Sequence, residues 1–508
     1  MSNKGLYTVL VSLVVALGGF LLGFDSAVIS GAVPFIEKFF VLNSIQLGWA
    51  VSCLIFGAMA GNALAGPMSD RFGRKPVLIV TSLLFTISAI SSALAQSFWF
   101  FIVARIIGGI GVGGALLIAP IYIAEIAPPE KRGRLVTFNQ LNIVIGISAA
   151  YWSNYFLVNL ATNNWRWMLG VEAIPAVLYF IFLFMVPRSP RWLVVRGRDE
   201  QAISVMEKVG GVEYAKKSLQ MIKEHLKVVT DKARFPALFT KKMSYIMVIA
   251  FGIAFFQQIT GINAILYYAP VIFKQAGGGT QAAFMQAVVI GLANFVFTIV
   301  AFYLIDKLGR KPLLLIGTAV MALSLFINAG AFQAANYQLT PETINNIENV
   351  PQEITIKLKN IENNEYKSQT AFLNAVESHL GKEDTEKYRS EITNKALKDI
   401  NAMLVLIAII GFIAAFAISL GPVMWALLSE IFPNQLRGLA ISAVGFFNSL
   451  VSFTVTLVFP WELWNLGPAG TYLIYGIFAT LAFIFVVRFI PETKGKSLEE
   501  LETILVKS

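Results

Sequence analysis

The chain has 508 residues, 56% of them hydrophobic and only 14% charged, with a formal net charge of +10. So few polar residues cannot cover a soluble globule of this size, which excludes a soluble enzyme or binding module and points to an integral membrane protein. The positive charge forms no basic stripe with interleaved aromatics outside short loops, so nucleic acid is not an expected partner.

A helix crossing a hydrocarbon core of roughly 30 Å needs ~20 apolar residues. Twelve stretches meet that length: 7–33, 46–69, 77–95, 98–126, 134–159, 167–187, 243–274, 282–305, 313–333, 400–428, 438–461 and 468–490. Such long, closely spaced spans fit helices and not a β-barrel, whose strands need only ~10 alternating residues. The first span follows a single charge, Lys4, and shows no small-residue cleavage site before Gly31 to Pro34. It reads as a retained helix, not a signal peptide.

Within the first span Asp25 lies deep in GFLLGFDSAVISG, and within the fourth Arg105 lies in FFIVARIIGGIGVGG. Buried charges in a membrane pair with each other or mark an ion or proton path. A carboxylate reports protons only if its pKa can move, upward by desolvation and downward beside a guanidinium. A conformational change that separates Asp25 from Arg105 would therefore favour proton uptake; a permanent structural pair is the competing reading. Glu172 lies nearer the end of the sixth span, within reach of water or a cytoplasmic loop, and structural and functional roles fit it equally.

The glycine run Gly108 to Gly114 has no preceding strand and no following acidic ribose ligand, so it reads as close helix packing, not a dinucleotide loop. No GxxxxGK[ST] loop occurs, so nothing here drives transport by ATP hydrolysis. The single cysteine, Cys53, excludes an internal disulfide, and His225 and His379 have no ligand-spaced partners, so no metal is expected.

The seventh span carries FFQQITGINAILYYAP, where Gln257, Gln258 and Asn263 place three amides near Tyr267 and Tyr268. Amides donate and accept, which suits a polyol or sugar. Gly261 and Pro270 mark points where this helix can break. Gln140 and Asn142 in the fifth span, Asn294 in the eighth, Trp425 in the tenth and Asn448 in the eleventh add candidates. An indole beside amides can stack on an apolar sugar face.

Two motifs occur twice. DRFGRKP at Asp70 to Pro76 returns as DKLGRKP at Asp306 to Pro312, an offset of 236, and EIAPPEKRG at Glu125 returns as EIFPNQLRG at Glu430, an offset of 305. A third pair, PRSPR from Pro187 and PETKG from Pro491, is offset by 304. The chain is therefore two parallel copies of one unit. The difference between 305 and 236 places about 69 surplus residues between Pro312 and Glu430.

Lys and Arg concentrate in alternate loops, thirteen of them between Arg188 and Lys242, which predicts that segment and both termini to be cytoplasmic. The segment from Ala334 to Asp399 then falls outside and accounts for nearly all of the surplus. Ile354, Ile356, Leu358, Ile361, Phe372, Leu373, Val376 and Leu380 suit one or two amphipathic helices in a small cap, with a solvated tether as the equal alternative. Short surface helices are expected from Val212 onward.

On DRFGRKP, EIAPPEKRG, PRSPRWL, QQITGINAILYYAP, DKLGRKP, GPVMWALLSEIFPNQLRG and PETKG, the sequence resembles the sugar porter family of the major facilitator superfamily, in everything but the Ala334 to Asp399 insert. The resemblance implies an all-α membrane fold of twelve helices in two six-helix bundles, around a sugar site that opens alternately to each side. It implies sugar contacts from Gln140, Gln257, Gln258, Asn263, Tyr267, Asn294, Trp425 and Asn448. Bacterial proton-coupled members carry an aspartate and an arginine at the positions of Asp25 and Arg105, which implies symport with Asp25 as proton carrier. The doubled cytoplasmic motifs supply Arg71, Arg74, Glu125, Arg132, Asp306, Arg310, Glu430 and Arg437, which the resemblance implies form an ion-pair latch in the outward-facing state. Two residues depart from the pattern: Arg188 replaces the glutamate of PESPR, and Ser449 replaces a tryptophan common after the residue at Asn448.

The expected organisation is a bundle over 1–187, a cytoplasmic linker over 188–242, a second bundle over 243–490 bearing the insert 334–399, and a tail over 491–508. The expected function is import of a hexose or pentose with a proton across the plasma (inner) membrane, with no catalytic residues and no cofactor beyond the proton gradient. The expected partners are the sugar, the proton and the lipid bilayer, with the chain a monomer. A passive facilitator and a transporter-like sugar sensor are the alternatives.

Overall fold

The computed structural model describes residues 3–160, 163–228, 235–241, 243–347, 350–433, 436–496 and 500. The first half contains α1 (Asn3–Phe40), α2 (Ser44–Phe72), α3 (Arg74–Ala93), α4 (Phe98–Ile126) and α5 (Pro129–Leu157), and its sixth span breaks into α6 (Asn164–Gly170) and α7 (Ala173–Met185). The polar linker holds α8 (Pro190–Val195), α9 (Asp199–Gly210), α10 (Val212–Val228) and a 3-10 turn at Phe235–Phe239.

In the second half the seventh span is divided into α11 (Ser244–Ile259), α12 (Ile262–Tyr267) and α13 (Ala269–Gln275), followed by α14 (Thr280–Leu308) and α15 (Arg310–Gln333). Beyond the insert come α20 (Ala402–Ile418), α21 (Leu420–Ile431), α22 (Arg437–Asn465) and α23 (Gly467–Phe489). The insert itself holds α16 (Pro341–Asn345), α17 (Gln352–Leu358), α18 (Gln369–Leu380) and α19 (Lys382–Ala396).

Among the described residues eleven of the predicted spans are long and apolar enough to cross a membrane. The fifth, α5, is a helix of 29 residues that opens on Lys131, Arg132 and Arg134 and carries Asn139, Gln140, Asn142 and Asn154, which lowers its hydropathy. Its polar residues place it among the helices that must face protein or water.

Contacts divide the chain into two compact units, residues 1–32 with 52–239 and residues 33–51 with 240–508. The expected linker 188–242 groups with the first unit up to residue 239, and the end of α1, the turn after it and the start of α2 group with the second. In the first unit Val15, Leu21, Phe85, Val112, Ile118, Tyr122 and Leu183 form a buried core. A Cβ on Gly109 or Gly113 would come within 2.1 Å of the Leu54 or Ala58 carbonyl oxygen, so this glycine run lets α4 lie against α2. Cys53, beside that contact, is wholly buried.

The repeated motif has a common backbone. Gly73 and Gly309 precede α3 and α15 with φ of 98° and 95°, a left-handed turn that only glycine adopts at little cost. In the second unit α15 packs against α20 and α23 around buried Leu314, Met321, Leu325, Phe412 and Tyr472.

The insert is a small folded body. Strands β1 (Asn336–Gln338), β2 (Glu365–Tyr366) and β3 (Leu397–Lys398) form an antiparallel sheet in the order β2-β1-β3, with Tyr337 opposite both Tyr366 and Leu397. Tyr337, Leu339, Leu358, Phe372, Val376 and Ile392 make its core, and burial pushes the Tyr337 phenol up to about 12. Seven of the eight apolar positions expected to pack are buried, while Ile356 is 59% exposed. The one or two expected helices become four plus a sheet, because strands of two or three residues are too short to show a period of two.

Candidate functional site

Asp25 on α1 and Arg105 on α4 meet in the first unit, each 1% exposed. Arg105 donates from Nη1 to Asp25 Oδ1 and from Nη2 to the Asp25 carbonyl at 3.3 Å. Asp25 Oδ2 and Arg105 Nε are buried without a hydrogen-bond partner. A Cβ on Gly108 would stand 2.3 Å from Ser88 Oγ and 3.2 Å from Asp25 Oδ2, so glycine there leaves room for the carboxylate. Glu172 completes the group. Its place near the end of a span points to a loop or water partner, but the break between α6 and α7 turns it inward. It is 2% exposed and close enough to interact with both Asp25 and Arg105. Two carboxyls and one guanidinium therefore share a dry site, and a proton added to either carboxyl balances its charge.

The second unit holds the amides. Gln257 donates to the Leu420 carbonyl at 2.8 Å and accepts from Asn448 Nδ2 at 2.9 Å. Gln258 donates to Asn448 Oδ1 at 3.1 Å and accepts from Asn263 Nδ2 at 2.9 Å, and the same Asn263 nitrogen donates to Ser452 Oγ at 2.7 Å. Asn448 also donates to the Ala254 carbonyl at 2.9 Å. Four predicted residues thus form one network, completed by Ser452 and by the Leu420 and Gly421 carbonyls at the start of α21. The amides satisfy one another, and a ligand hydroxyl can exchange with any of these bonds at little net cost.

The helix break that permits this lies at Gly261, with φ 88°, where a Cβ would stand 2.6 Å from the Tyr475 ring. Tyr268 and Ala269 make the second break, with Pro270 in the first turn of α13. Tyr267 is buried on α12. Asn294 is buried on α14 but makes no hydrogen bond to the network. Trp425 is 42% exposed on α21, its ring lying 3.7 Å from where a Cβ on Gly445 would be. Gln140 lies exposed on α5 of the first unit. Ser449 donates to the Gly445 carbonyl of its own helix at 3.0 Å.

The doubled motifs build two matching ion-pair clusters. Arg74 donates to Glu125 at 2.9 Å and to Asp70 at 3.3 Å, and Ser189 donates to the other Glu125 oxygen at 2.5 Å. Arg310 donates to Glu430 at 2.6 Å and pairs with Asp306 at 3.7 Å, and Thr493 donates to the other Glu430 oxygen at 2.5 Å. Three expected latch residues do not join these clusters. Exposed Arg71 lies over the Phe72 ring, Arg132 is exposed without an ion pair among the described residues, and Arg437 binds the Phe432 carbonyl at 3.2 Å. Each has water or a helix end within easier reach than a buried acid.

Arg188 lies over the Trp192 ring, whereas Glu492 accepts from the Arg310 and Lys311 amides at 3.1 Å each. Partial burial opposes ionisation of Glu492, but the backbone N–H groups of Lys494, Arg310, Lys311 and Thr493 hold its carboxyl below the usual range.

Sequence and structure comparisons agree with this anatomy. The pattern described as "Sugar (and other) transporter" matches residues 11–347 and 389–505, leaving most of the insert outside it. The arabinose-proton symporter of Bacillus subtilis (strain 168) is 34% identical over 99% of this chain and 96% of its own length. The D-xylose-proton symporter of Escherichia coli (strain K12) is 35% identical over 98% and 96%. The inward-open xylose transporter XylE from E. coli superposes with a TM-score of 0.76 at 34% identity, covering 98% of this chain and 100% of that one.

Proposed function

The chain belongs to the sugar (and other) transporter family, with the twelve-helix major facilitator fold, and from that premise we propose that it imports a monosaccharide together with a proton by alternating access. The observation that carries the proton half is the buried Asp25–Arg105 pair with Glu172 beside it. The names of the relatives, arabinose- and xylose-proton symporters, support the same coupling.

In this reading Asp25 carries the proton. Protonation removes its charge, and Glu172 remains as the counter-ion for Arg105, so the guanidinium is never left alone in a dry site. Sugar hydroxyls replace the mutual bonds of Gln257, Gln258, Asn263 and Asn448, and Tyr267, Asn294, Trp425 and Gln140 supply further contacts. The helix breaks at Gly261 and Ser419 let α12 and α21 shift without unfolding their neighbours. Arg74–Glu125 and Arg310–Glu430 serve as latches. The side chains of Arg74 and Arg310 are each 15% exposed and those of Glu125 and Glu430 8% and 21%, so opening a latch separates a partly buried pair and lets water reach both charges. The distribution of Lys and Arg supports a plasma-membrane protein with both termini in the cytoplasm.

The test is uptake by purified protein in proteoliposomes. D-xylose, L-arabinose or D-glucose is expected to carry protons into the lumen, and Asp25→Asn to abolish gradient-driven accumulation while leaving sugar exchange. Equal accumulation with and without a gradient would show a passive facilitator, the reading favoured if Asp25–Arg105 never opens.

A further inference from the structure

A second polar cleft, lined by none of the amide-network residues, has no role in the reading above. It is lined by Glu37 of α1, Tyr268 and Gln275 of the divided seventh span, Trp464 of α22, and Gln369, Arg389 and Thr393 of the insert. All of these residues belong to the second unit. Gln369 and Thr393 are 8% and 6% exposed, and Gln369 Oε1 and Thr393 Oγ1 have no hydrogen-bond partner. Burying such atoms unsatisfied costs free energy, so a site that retains two of them is built to be completed by something else.

The remaining walls narrow the choice. Arg389 donates to the Trp464 carbonyl and lies over the Trp464 ring at 5.5 Å, while burial lowers its guanidinium to about 10. Lys38 pairs with Glu391 next to the cleft, and Lys274 beside Glu37 and Glu377 and Glu386 beside Arg389 make the surroundings mixed in charge. Gly467, with φ 70°, leaves space beside Gln369 Oε1, which would stand 3.4 Å from a Cβ there. A site of mixed charge with a carboxylate, a guanidinium, amides, a hydroxyl and an indole offers donors and acceptors side by side, which matches a ligand with several hydroxyls. It does not match an anion or a metal ion.

We propose that this cleft is a second monosaccharide-binding site, formed by the insert against α1, the seventh span and α22, which holds sugar before it reaches the amide network. The proposal rests on the transport reading, which puts the insert on the outer face. Most of the insert falls outside the family pattern, although Glu37, Tyr268, Gln275, Arg389, Thr393 and Trp464 lie within the matched residues.

The test is equilibrium dialysis of the purified full-length protein with radiolabelled D-xylose, L-arabinose and D-glucose, alongside transport kinetics. The wild type is expected to bind two molecules of one of these sugars per chain. Gln369→Ala and the near-isosteric Thr393→Val each weaken one of the two bound molecules about 2- to 10-fold in Kd and raise KM by a similar factor with kcat unchanged, the loss of about one hydrogen bond. Asn263→Ala loses the other and abolishes transport. A single wild-type site, removed by Asn263→Ala and untouched by Gln369→Ala and Thr393→Val, overturns the proposal and leaves the transport reading standing. Two sites indifferent to both insert variants overturn the location. A chain that binds none of the three sugars sinks both. If the cleft is merely filled by water, Thr393→Val raises the thermal midpoint and leaves sugar binding as it was, which also overturns the proposal.

Discussion

Arg188 and Glu492 occupy equivalent places in the two repeats, 304 residues apart, yet only Glu492 closes the amides at the start of a helix. The neighbouring pair has kept its chemistry, since Ser189 and Thr493 both donate to the glutamate of their own cluster. One corner of an otherwise duplicated device has therefore changed sign.

Restoring the acid should strengthen the first half. Arg188→Glu would place a carboxylate at the start of α3, an interaction worth ~0.3 to 1 kcal/mol at a helix N-terminus. A rise in thermal midpoint of the purified protein at low salt, fading as salt is added, is the expected result.

The opposite change tests the second half by pH. Because the Glu492 carboxyl is held below its ordinary value, its contribution is complete above about pH 5 and is lost as pH falls through the folded-state value. Glu492→Gln should lower stability at neutral pH and flatten the acid limb of a plot of thermal midpoint against pH. Parallel acid limbs for wild type and variant would refute this.

The buried pair predicts a non-additive cycle. Arg105→Leu leaves Asp25 and Glu172 together without a cation, and breaking a buried pair from one side typically costs ~3 to 5 kcal/mol. The double variant Asp25→Asn, Arg105→Leu should recover a good part of that loss in thermal unfolding, although neither variant should accumulate sugar against a gradient.

In the amide network Gln258→Ala removes one residue and leaves partners of Asn448 and Asn263 unpaired. Each hydrogen bond that Gln258 gives a sugar is worth ~0.5 to 1.5 kcal/mol, so sugar affinity should fall about 2- to 10-fold per bond lost. Ser452→Ala, at the network's edge, should cost less. Equilibrium binding of D-xylose to the two variants makes the comparison.

The insert should be removable. Asn336 and Lys398 face each other across β1 and β3, so the two ends of the insert already lie side by side. Replacing 337–397 with a short Gly/Ser linker should leave a folded protein that still transports, which uptake by the reconstituted variant measures. Loss of all transport in a folded variant would make the insert essential.

Much of this anatomy is legible in the sequence because membrane burial writes long apolar stretches and because repeat offsets locate an insertion by subtraction. The sheet in the insert is not legible, since its strands have no length in which to alternate. Glu172 can be grouped with Asp25 and Arg105 from the sequence, and Gly170 and Pro175 flank the break between α6 and α7, but no residue type says that the break turns Glu172 inward. The amides of the seventh span stand out as residue types, but the Leu420 and Gly421 carbonyls that hold Gln257 do not, because a main-chain acceptor has no residue signature. Arg71, Arg132 and Arg437 share the motifs of Arg74 and Arg310 but form no ion pair among the described residues, because a motif marks a charge and not its partner in a given conformation.

Cys53 adds a practical consequence. It is the sole thiol of the chain and lies enclosed where α2 meets α4, and a thiol without solvent access reacts slowly with alkylating reagents. The native protein therefore serves as its own silent background for site-directed labelling. A cysteine placed at exposed Leu94 or Val195 would carry a spin or fluorescent probe alone, and motion during a transport cycle could be followed without first engineering the chain.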